Sequence, residues 1–191
     1  MDKNPYNSQM LNDQEKTIFA NSVSEVLKSL NSRSEDVLSR RFGLKTGNVE
    51  TLESIGGKYK ITRERVRQVE EAALRELRKN FDNFNLKNEV VKIKSILQSY
   101  GNVVREDFLF HEFSGSPNYN KGNSVLVFLM TVSSGFEYYP EDSKYYNIWT
   151  VNEPLYINKA KETVEKVVQG LKKQDTIVPE AELAGFFNRF F

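Results

Sequence analysis

The sequence predicts a mainly α-helical protein with one β-hairpin in its second half. Three observations predict this fold class. Apolar residues recur every three or four positions in several stretches between residues 15 and 133, polar capping residues and glycines separate these stretches, and two aromatic, β-branched runs flank a turn near residue 140. With 191 residues and 39% hydrophobic content, the chain is long enough to bury a core.

The first stretch predicts a polar arm followed by two helices. Residues 1–15 are rich in Asn, Gln and Asp, and we expect them to form an uncapped, loosely packed arm. Residues 15–30 have the apolar spacing of an amphipathic helix. The run Ser32–Glu35 has the form of a capping box, and it predicts a second helix that ends at Gly43.

The next stretch predicts a helix-turn-helix unit. Thr51 is suited to cap a short helix, and a tight turn with Gly56 and Gly57 follows it. Thr62 is suited to cap a long helix that runs to about Lys79. A short helix, a tight turn and a long helix in this order are typical of helix-turn-helix proteins.

The second half predicts a winged helix, an α+β arrangement of three helices followed by a hairpin. The helices are expected to span residues 91–100, 104–113 and 124–133, with a stop at Gly101. The strands are expected within residues 136–139 and 144–151.

The predicted organisation has five parts. They are an arm leading into the first helix (1–22), a helix-turn-helix domain (23–80), an Asn-rich linker (81–87), a winged-helix-like domain (88–157) and a C-terminal helical tail (158–191). The linker predicts that the two domains fold separately. The pattern of residues 93–113 returns in residues 164–187, so we expect the tail to hold an incomplete second repeat.

Composition excludes several classes of function. The chain has no cysteine and a single histidine, His111, so thiol nucleophiles, zinc fingers and iron–sulfur clusters are excluded and we expect no metal or cofactor. No apolar run approaches the length of a membrane span, and we expect a cytoplasmic location. Glu106, Asp107, Glu141 and Asp142 are adjacent carboxylates of the kind that cap helices and turns, and no phosphate-binding loop is present, so we expect no enzyme activity.

Charge differs between the two halves. Residues 1–80 carry 15 Lys and Arg against 12 Asp and Glu, a net charge of +3, whereas residues 81–191 carry 12 against 14, a net charge of −2. The positive half therefore suits an anionic partner better than the negative half does.

The helix after Thr62 carries the features of a DNA-reading helix. At 100° per residue, Val66, Val69, Ala73 and Leu77 face the core, and Glu64 and Gln68 lie on the opposite side with three arginines beside them. Arg grips phosphate or guanine, Gln pairs with adenine, and Glu accepts a hydrogen bond from cytosine. On periodicity alone, an ordinary solvated helix face stays an alternative.

The exact runs of residues add a family resemblance. Residues 40–44 (RRFGL), 51–56 (TLESIG), 61–70 (ITRERVRQVE) and 72–78 (AALRELR) closely resemble region 4 of the sigma-70 family of bacterial RNA polymerase sigma factors. The resemblance covers about residues 23–80. It implies a helix-turn-helix that reads the −35 promoter element in double-stranded DNA and binds the β-subunit flap of RNA polymerase.

The resemblance also implies roles for individual residues. It implies base reading by Arg63, Glu64 and Gln68, contacts with the DNA backbone by Arg65, Arg67, Thr62 and Lys60, and a flap-binding groove with Val37, Leu38, Arg41, Phe42 and Leu44. Two departures accompany it. The doubled Gly56-Gly57 stands where the family often has a single glycine. No region 2 precedes the matching residues, and we therefore expect no promoter melting.

The second half resembles, more distantly, the HARE-type winged-helix modules of the polymerase delta subunit and of some restriction enzymes. Its acidic balance favours a further protein partner over duplex DNA. Its aromatic hairpin is either a stacking platform for single strands or the packed face of a wing, through Phe136, Tyr138, Tyr145 and Trp149.

Three functions follow for the whole chain. We expect a sequence-specific transcription protein; the alternatives are a polymerase accessory or anti-sigma-like protein that docks without reading DNA, and the DNA-binding part of a nuclease or modification system.

Overall fold

The computed structural model describes residues 11–151, 153–173, 178, 179 and 182, and the chain divides into two units between residues 152 and 153. The first unit opens with four helices. These are α1 (Asp13–Lys28), α2 (Ser32–Arg41), α3 (Leu52–Tyr59) and α4 (Arg63–Lys79). The predicted helix-turn-helix is therefore present as α3 and α4.

Each of these helices begins with a side-chain cap. Asn12, Asn31, Thr51 and Thr62 each accept a hydrogen bond from the backbone N–H three residues further on. This bond satisfies one of the free donors at the helix start.

Two predictions about caps are wrong. The uncapped, loosely packed arm is wrong for residues 11–15, because Leu11 is buried and Asn12 and Glu15 form a capping box at the start of α1. The capping box predicted at Ser32 is absent, because Asn31 is the cap and Ser32 is already helical. Asn and Ser cap helices about equally well, so the sequence pattern could not choose between neighbours.

The helix-turn-helix has its own small core. Val37 of α2, Ile55 of α3 and Val66 of α4 are fully buried against one another. Half-buried apolar side chains surround them, namely Leu52, Tyr59, Ile61 and Val69. Each of the three helices contributes one central residue, so the angle between α3 and α4 is fixed by packing as well as by the turn.

The rest of the first unit has the element order of a winged helix. It comprises α5 (Lys87–Ser99), β1 (Val103–Arg105), α6 (Glu106–Ser114), α7 (Lys121–Val132), β2 (Phe136–Tyr139) and β3 (Ile148–Val151). The strands form an antiparallel sheet in the order β1-β3-β2. The predicted hairpin is confirmed as β2 and β3. The helix predicted from Val104 begins only at Glu106, because Val104 pairs with Trp149 in a third strand.

The wing packs through part of its aromatic face. Phe136 and Trp149 are buried, whereas Tyr138 is 41% exposed and lies with its ring centroid 4.8 Å from that of Trp149. The Trp149 indole N–H donates to the buried carboxylate of Glu106 at 3.0 Å. Burial raises the pKa of Glu106, against the lowering effect of this hydrogen bond. For Phe136 and Trp149, packing explains the aromatic pattern.

Helices α6 and α7 bring the two halves of the first unit together. The Phe42 ring lies 5.3 Å from that of Phe128 on α7, and the Phe19 ring lies 5.3 Å from that of Phe113 on α6. Between these halves, residues 81–87 hold a 3-10 helix (Phe81–Phe84) and the start of α5. The predicted domain boundaries and the separate folding of the two domains stay predictions.

The second unit contains α8 (Pro154–Lys172), which begins with a proline in its first turn. The second half of the predicted repeat and the run from Phe186 to Phe191 lie largely or wholly outside the described residues. None of the helices that the structure describes is long and apolar enough to cross a membrane.

Candidate nucleic-acid interface

The turn between α3 and α4 depends on a glycine. A Cβ atom at Gly56 would lie 2.7 Å from the carbonyl oxygen of Ile61, and the Ile61 N–H donates to the Gly56 carbonyl at 3.0 Å. Lys60 lies in the left-handed region, with φ of 55°. This close approach brings the chain back sharply, so that Thr62 can cap α4 beside the end of α3.

Helix α4 has one buried face and one exposed face, as its periodicity predicts. Val66 and Leu77 are 0% exposed, and Ala73 is 1% exposed. The side chains predicted to contact DNA are all exposed: Lys60, Thr62, Arg63, Glu64, Arg65, Arg67 and Gln68. The first two turns of α4 and the turn before them therefore present every predicted DNA-contacting residue to solvent.

Arg67 is the centre of an ion-pair network on the exposed face. Its Nε donates to Glu64 Oε2 at 2.9 Å and its Nη2 donates to Glu64 Oε1 at 2.7 Å, a bidentate pair. Its Nη1 also pairs with Glu71 one turn further along. Arg67 lowers the pKa of the Glu64 carboxyl, and Glu64 in turn raises the pKa of Arg67. Glu64 is therefore held ionised, as an acceptor of hydrogen bonds.

The neighbouring side chains are also linked. Arg65 Nη1 donates to Gln68 Oε1 at 3.1 Å, and Gln68 Nε2 lies 3.4 Å from Glu64 Oε1. Within the part of the chain that the structure describes, Arg63 and Lys60 form no ion pair. Two cations at the start of α4 are thus available to an anion, at the end of the helix where the dipole is positive.

Arg78 and Arg41 hold α4 in place through contacts that the sequence did not predict. Arg78 donates from Nε and Nη2 to the carbonyl oxygen of Thr131, at 3.2 and 2.9 Å, which ties the end of α4 to the end of α7. Arg41 pairs with Glu70 at 3.3 Å and donates to the Glu50 carbonyl at 2.7 Å. The partners lie between 9 and 53 residues apart, so no local pattern signals these contacts.

Comparison with known proteins bears on this helix-turn-helix. Residues 26–79 match sigma-70 region 4. The matched range agrees with the predicted range of 23–80, and we refer to residues 26–79 as the region-4 segment.

The curated relatives are similar to this chain over the same part. The RNA polymerase sigma factor SigA of Lactococcus lactis subsp. cremoris is 48% identical over 56 residues, which are 29% of this chain and 15% of that protein. SigA of a Nostoc species is 44% identical over 75 residues, or 39% of this chain and 19% of that protein. The chain thus covers less than a fifth of each of these relatives.

Residues predicted to form a flap-binding groove in the region-4 segment are mostly covered. Val37 and Leu38 are 0% exposed, and Phe42 packs on Phe128 of α7. Arg41 is held by Glu70, and Leu44 is half-buried. A partner helix that docked on Phe42 would compete with Phe128 of α7, and the groove stays a prediction.

The described residues offer little to a metal ion. No group of three or more His, Asp or Glu side chains with suitable spacing occurs among them. Glu106 and Asp107, one of the carboxylate pairs considered above, lie at the start of α6, where Asp107 pairs with Arg105 at 2.6 Å.

Proposed function

We propose that the region-4 segment binds double-stranded DNA by placing the first two turns of α4 in the major groove. One observation carries the proposal. Every side chain predicted to contact DNA lies exposed on this part of α4 or on the turn before it, while Val66, Ala73 and Leu77 hold the opposite face in the core.

The chemistry of the side chains supports different roles. Arg63 is suited to the O6/N7 edge of guanine, Gln68 to adenine and the ionised Glu64 to the amino group of cytosine. Arg65, Arg67, Lys60 and Thr62 are suited to phosphate oxygens at the positive end of the helix. Because cations and acceptors are mixed on one face, the surface fits sequence reading better than purely electrostatic binding.

The relatives support a role in transcription. They are RNA polymerase sigma factors by name, and we propose a −35-type promoter element as the DNA target and the cytoplasm as the place of action. The proposed role is binding without a catalytic step. We also propose a contact with the polymerase flap. The burial of Val37 and Leu38 supports this contact less well than the exposed face of α4 supports DNA binding.

A comparison of three variants tests this proposal on the full chain. Glu64→Ala should reduce the preference for a TTGACA duplex over a duplex with one substituted base pair, by about 1–3 kcal/mol. Arg67→Ala should weaken binding on all duplexes about equally and reduce the salt slope by roughly 0.9. Glu76→Ala is the control, because Glu76 lies on α4 about 120° from Glu64 and about 180° from Arg67 around the helix, outside the predicted interface. Unchanged affinity and preference in both Glu64→Ala and Arg67→Ala would refute the proposal.

A further inference from the structure

The Arg67 guanidinium is shared between two carboxylates of its own helix. An Arg side chain has five N–H donors, and here two go to Glu64 and a third goes to Glu71. The two carboxylates differ in position. Glu64 lies in the first turn of α4, among the predicted base readers, whereas Glu71 lies one turn beyond Arg67 and has no predicted contact with a base.

Glu71 lies on the same side of α4 as Arg67 and pairs with its Nη1. On an α-helix, residues four apart lie only about 40° apart around the axis, so Glu71 and Arg67 share one side of α4. A phosphate that bound the outer N–H groups of Arg67 would meet the Glu71 carboxylate, which carries the same sign of charge. Glu71 and the DNA backbone therefore compete for the same guanidinium group.

The ion pair between Arg67 and Glu71 is weak enough to open when an anion binds Arg67. The Arg67 side chain is 47% exposed and that of Glu71 is 49% exposed. For two exposed residues four apart on a helix, the equilibrium between the paired and the unpaired side chains favours the pair by roughly twofold. Such a pair lowers the affinity of Arg67 for an external anion without preventing the contact. The bidentate bonds to Glu64 keep the guanidinium oriented when the Glu71 bond opens.

We propose that Glu71 is an intramolecular competitor that weakens the contact of Arg67 with DNA phosphate and so sets the affinity of the region-4 segment, without affecting which bases it reads. This inference rests on the proposed function. It makes Glu71 a positioning residue, since it acts on DNA through Arg67.

The test compares Glu71→Gln with Glu76→Gln in the full chain. Both substitutions remove one negative charge from an exposed position on α4 and keep the side-chain size, but Glu76 forms no ion pair within the described residues. Binding to a TTGACA duplex and to a scrambled duplex is measured by fluorescence anisotropy over a salt series.

We expect Glu71→Gln to raise the association constant roughly two- to threefold on both duplexes, because Arg67 then reaches the phosphate without breaking its pair with Glu71. The salt slope should steepen by less than the roughly 0.9 of a whole phosphate contact, because Arg67 already makes that contact in the unmodified chain. Glu76→Gln should change both quantities by less than half as much. In an Arg67→Ala background, the gain from Glu71→Gln should disappear.

Two results overturn the inference alone: equal gains for Glu71→Gln and Glu76→Gln, or a gain that persists without Arg67. If Glu71→Gln changes the ratio of the association constants for the two duplexes, Glu71 affects base preference as well as affinity, which contradicts the inference. If the unmodified chain binds neither duplex, the proposed function fails and the inference fails with it.

Discussion

Gly56 and Gly57 are neighbours in α3 with opposite surroundings. A side chain at Gly56 would collide with the backbone that leads into α4, because its Cβ would lie 2.7 Å from the Ile61 carbonyl oxygen. A Cβ at Gly57 would meet no atom within 4 Å. The doubled glycine noted in the sequence therefore contains one residue that the turn requires and one that it does not.

Alanine substitutions should separate these two positions. Gly56→Ala should lower the free energy of unfolding by about 2 kcal/mol, because the backbone of the turn has to shift. Gly57→Ala should leave it unchanged or raise it by about 0.5–1 kcal/mol, because alanine favours the helix and restricts the unfolded chain. Urea unfolding of both variants measures the difference. An equal effect at the two positions would show that the turn does not require a glycine.

At the scale of elements, Asp36 joins α2 to α3. Its Oδ2 accepts hydrogen bonds from the Tyr59 hydroxyl at 2.6 Å and from Arg40 Nε at 2.5 Å. Burial alone would raise the pKa of Asp36, but these two hydrogen bonds outweigh burial and hold the pKa below its ordinary value of 3.8. The charged form of Asp36 therefore stabilises the packing of α3 on α2.

The effect of Asp36 on stability should depend on pH. Since the pKa is lowered in the folded state, the stabilisation is fully present above about pH 4 and is lost as the pH falls through the folded-state pKa. Asp36→Asn should cost about 1.5 kcal/mol at pH 7, and the difference from the unmodified protein should shrink below pH 4. Unfolding measured from pH 3 to pH 8 checks this. A constant difference over that range would mean that the charge of Asp36 has no part in the effect.

Local sequence patterns predicted some elements and missed others. The sequence predicted α3, α4 and the exposure of Glu64 and Gln68 because caps, glycines and helical spacing are encoded within a few residues of each other. It missed β1, because a three-residue strand has too little alternation to be detected and is defined by pairing with β3, some 45 residues away. It missed the hydrogen bonds from Arg78 to Thr131 because these two residues lie 53 positions apart in the chain.

At the scale of the molecule, α7 is central to the first unit. Phe128 is 0% exposed and contacts Phe42 of the helix-turn-helix half, while its helix lies within the winged half. The same helix receives Arg78 from the end of α4. These contacts favour cooperative unfolding of the two halves over the separate folding predicted from the Asn-rich residues 81–87.

Two spectroscopic probes can distinguish these outcomes. The chain has a single tryptophan, Trp149, which reports on the winged half, whereas far-UV circular dichroism reports on all helices. We expect coincident urea transitions for the two probes, and a loss of about 3–5 kcal/mol in Phe128→Ala with the transitions still coincident. Two separate transitions in the unmodified protein would instead support independently folding domains.

The central claim is that α4 reads DNA sequence, and the ratio of two binding constants tests it most directly. The full chain is titrated into a TTGACA duplex and into a duplex of the same composition with the hexamer scrambled, at one fixed salt concentration, and both association constants are measured by fluorescence anisotropy. We predict binding to both duplexes, with a preference of roughly tenfold or more for the TTGACA duplex. Equal association constants, or no binding to either duplex, would contradict the claim.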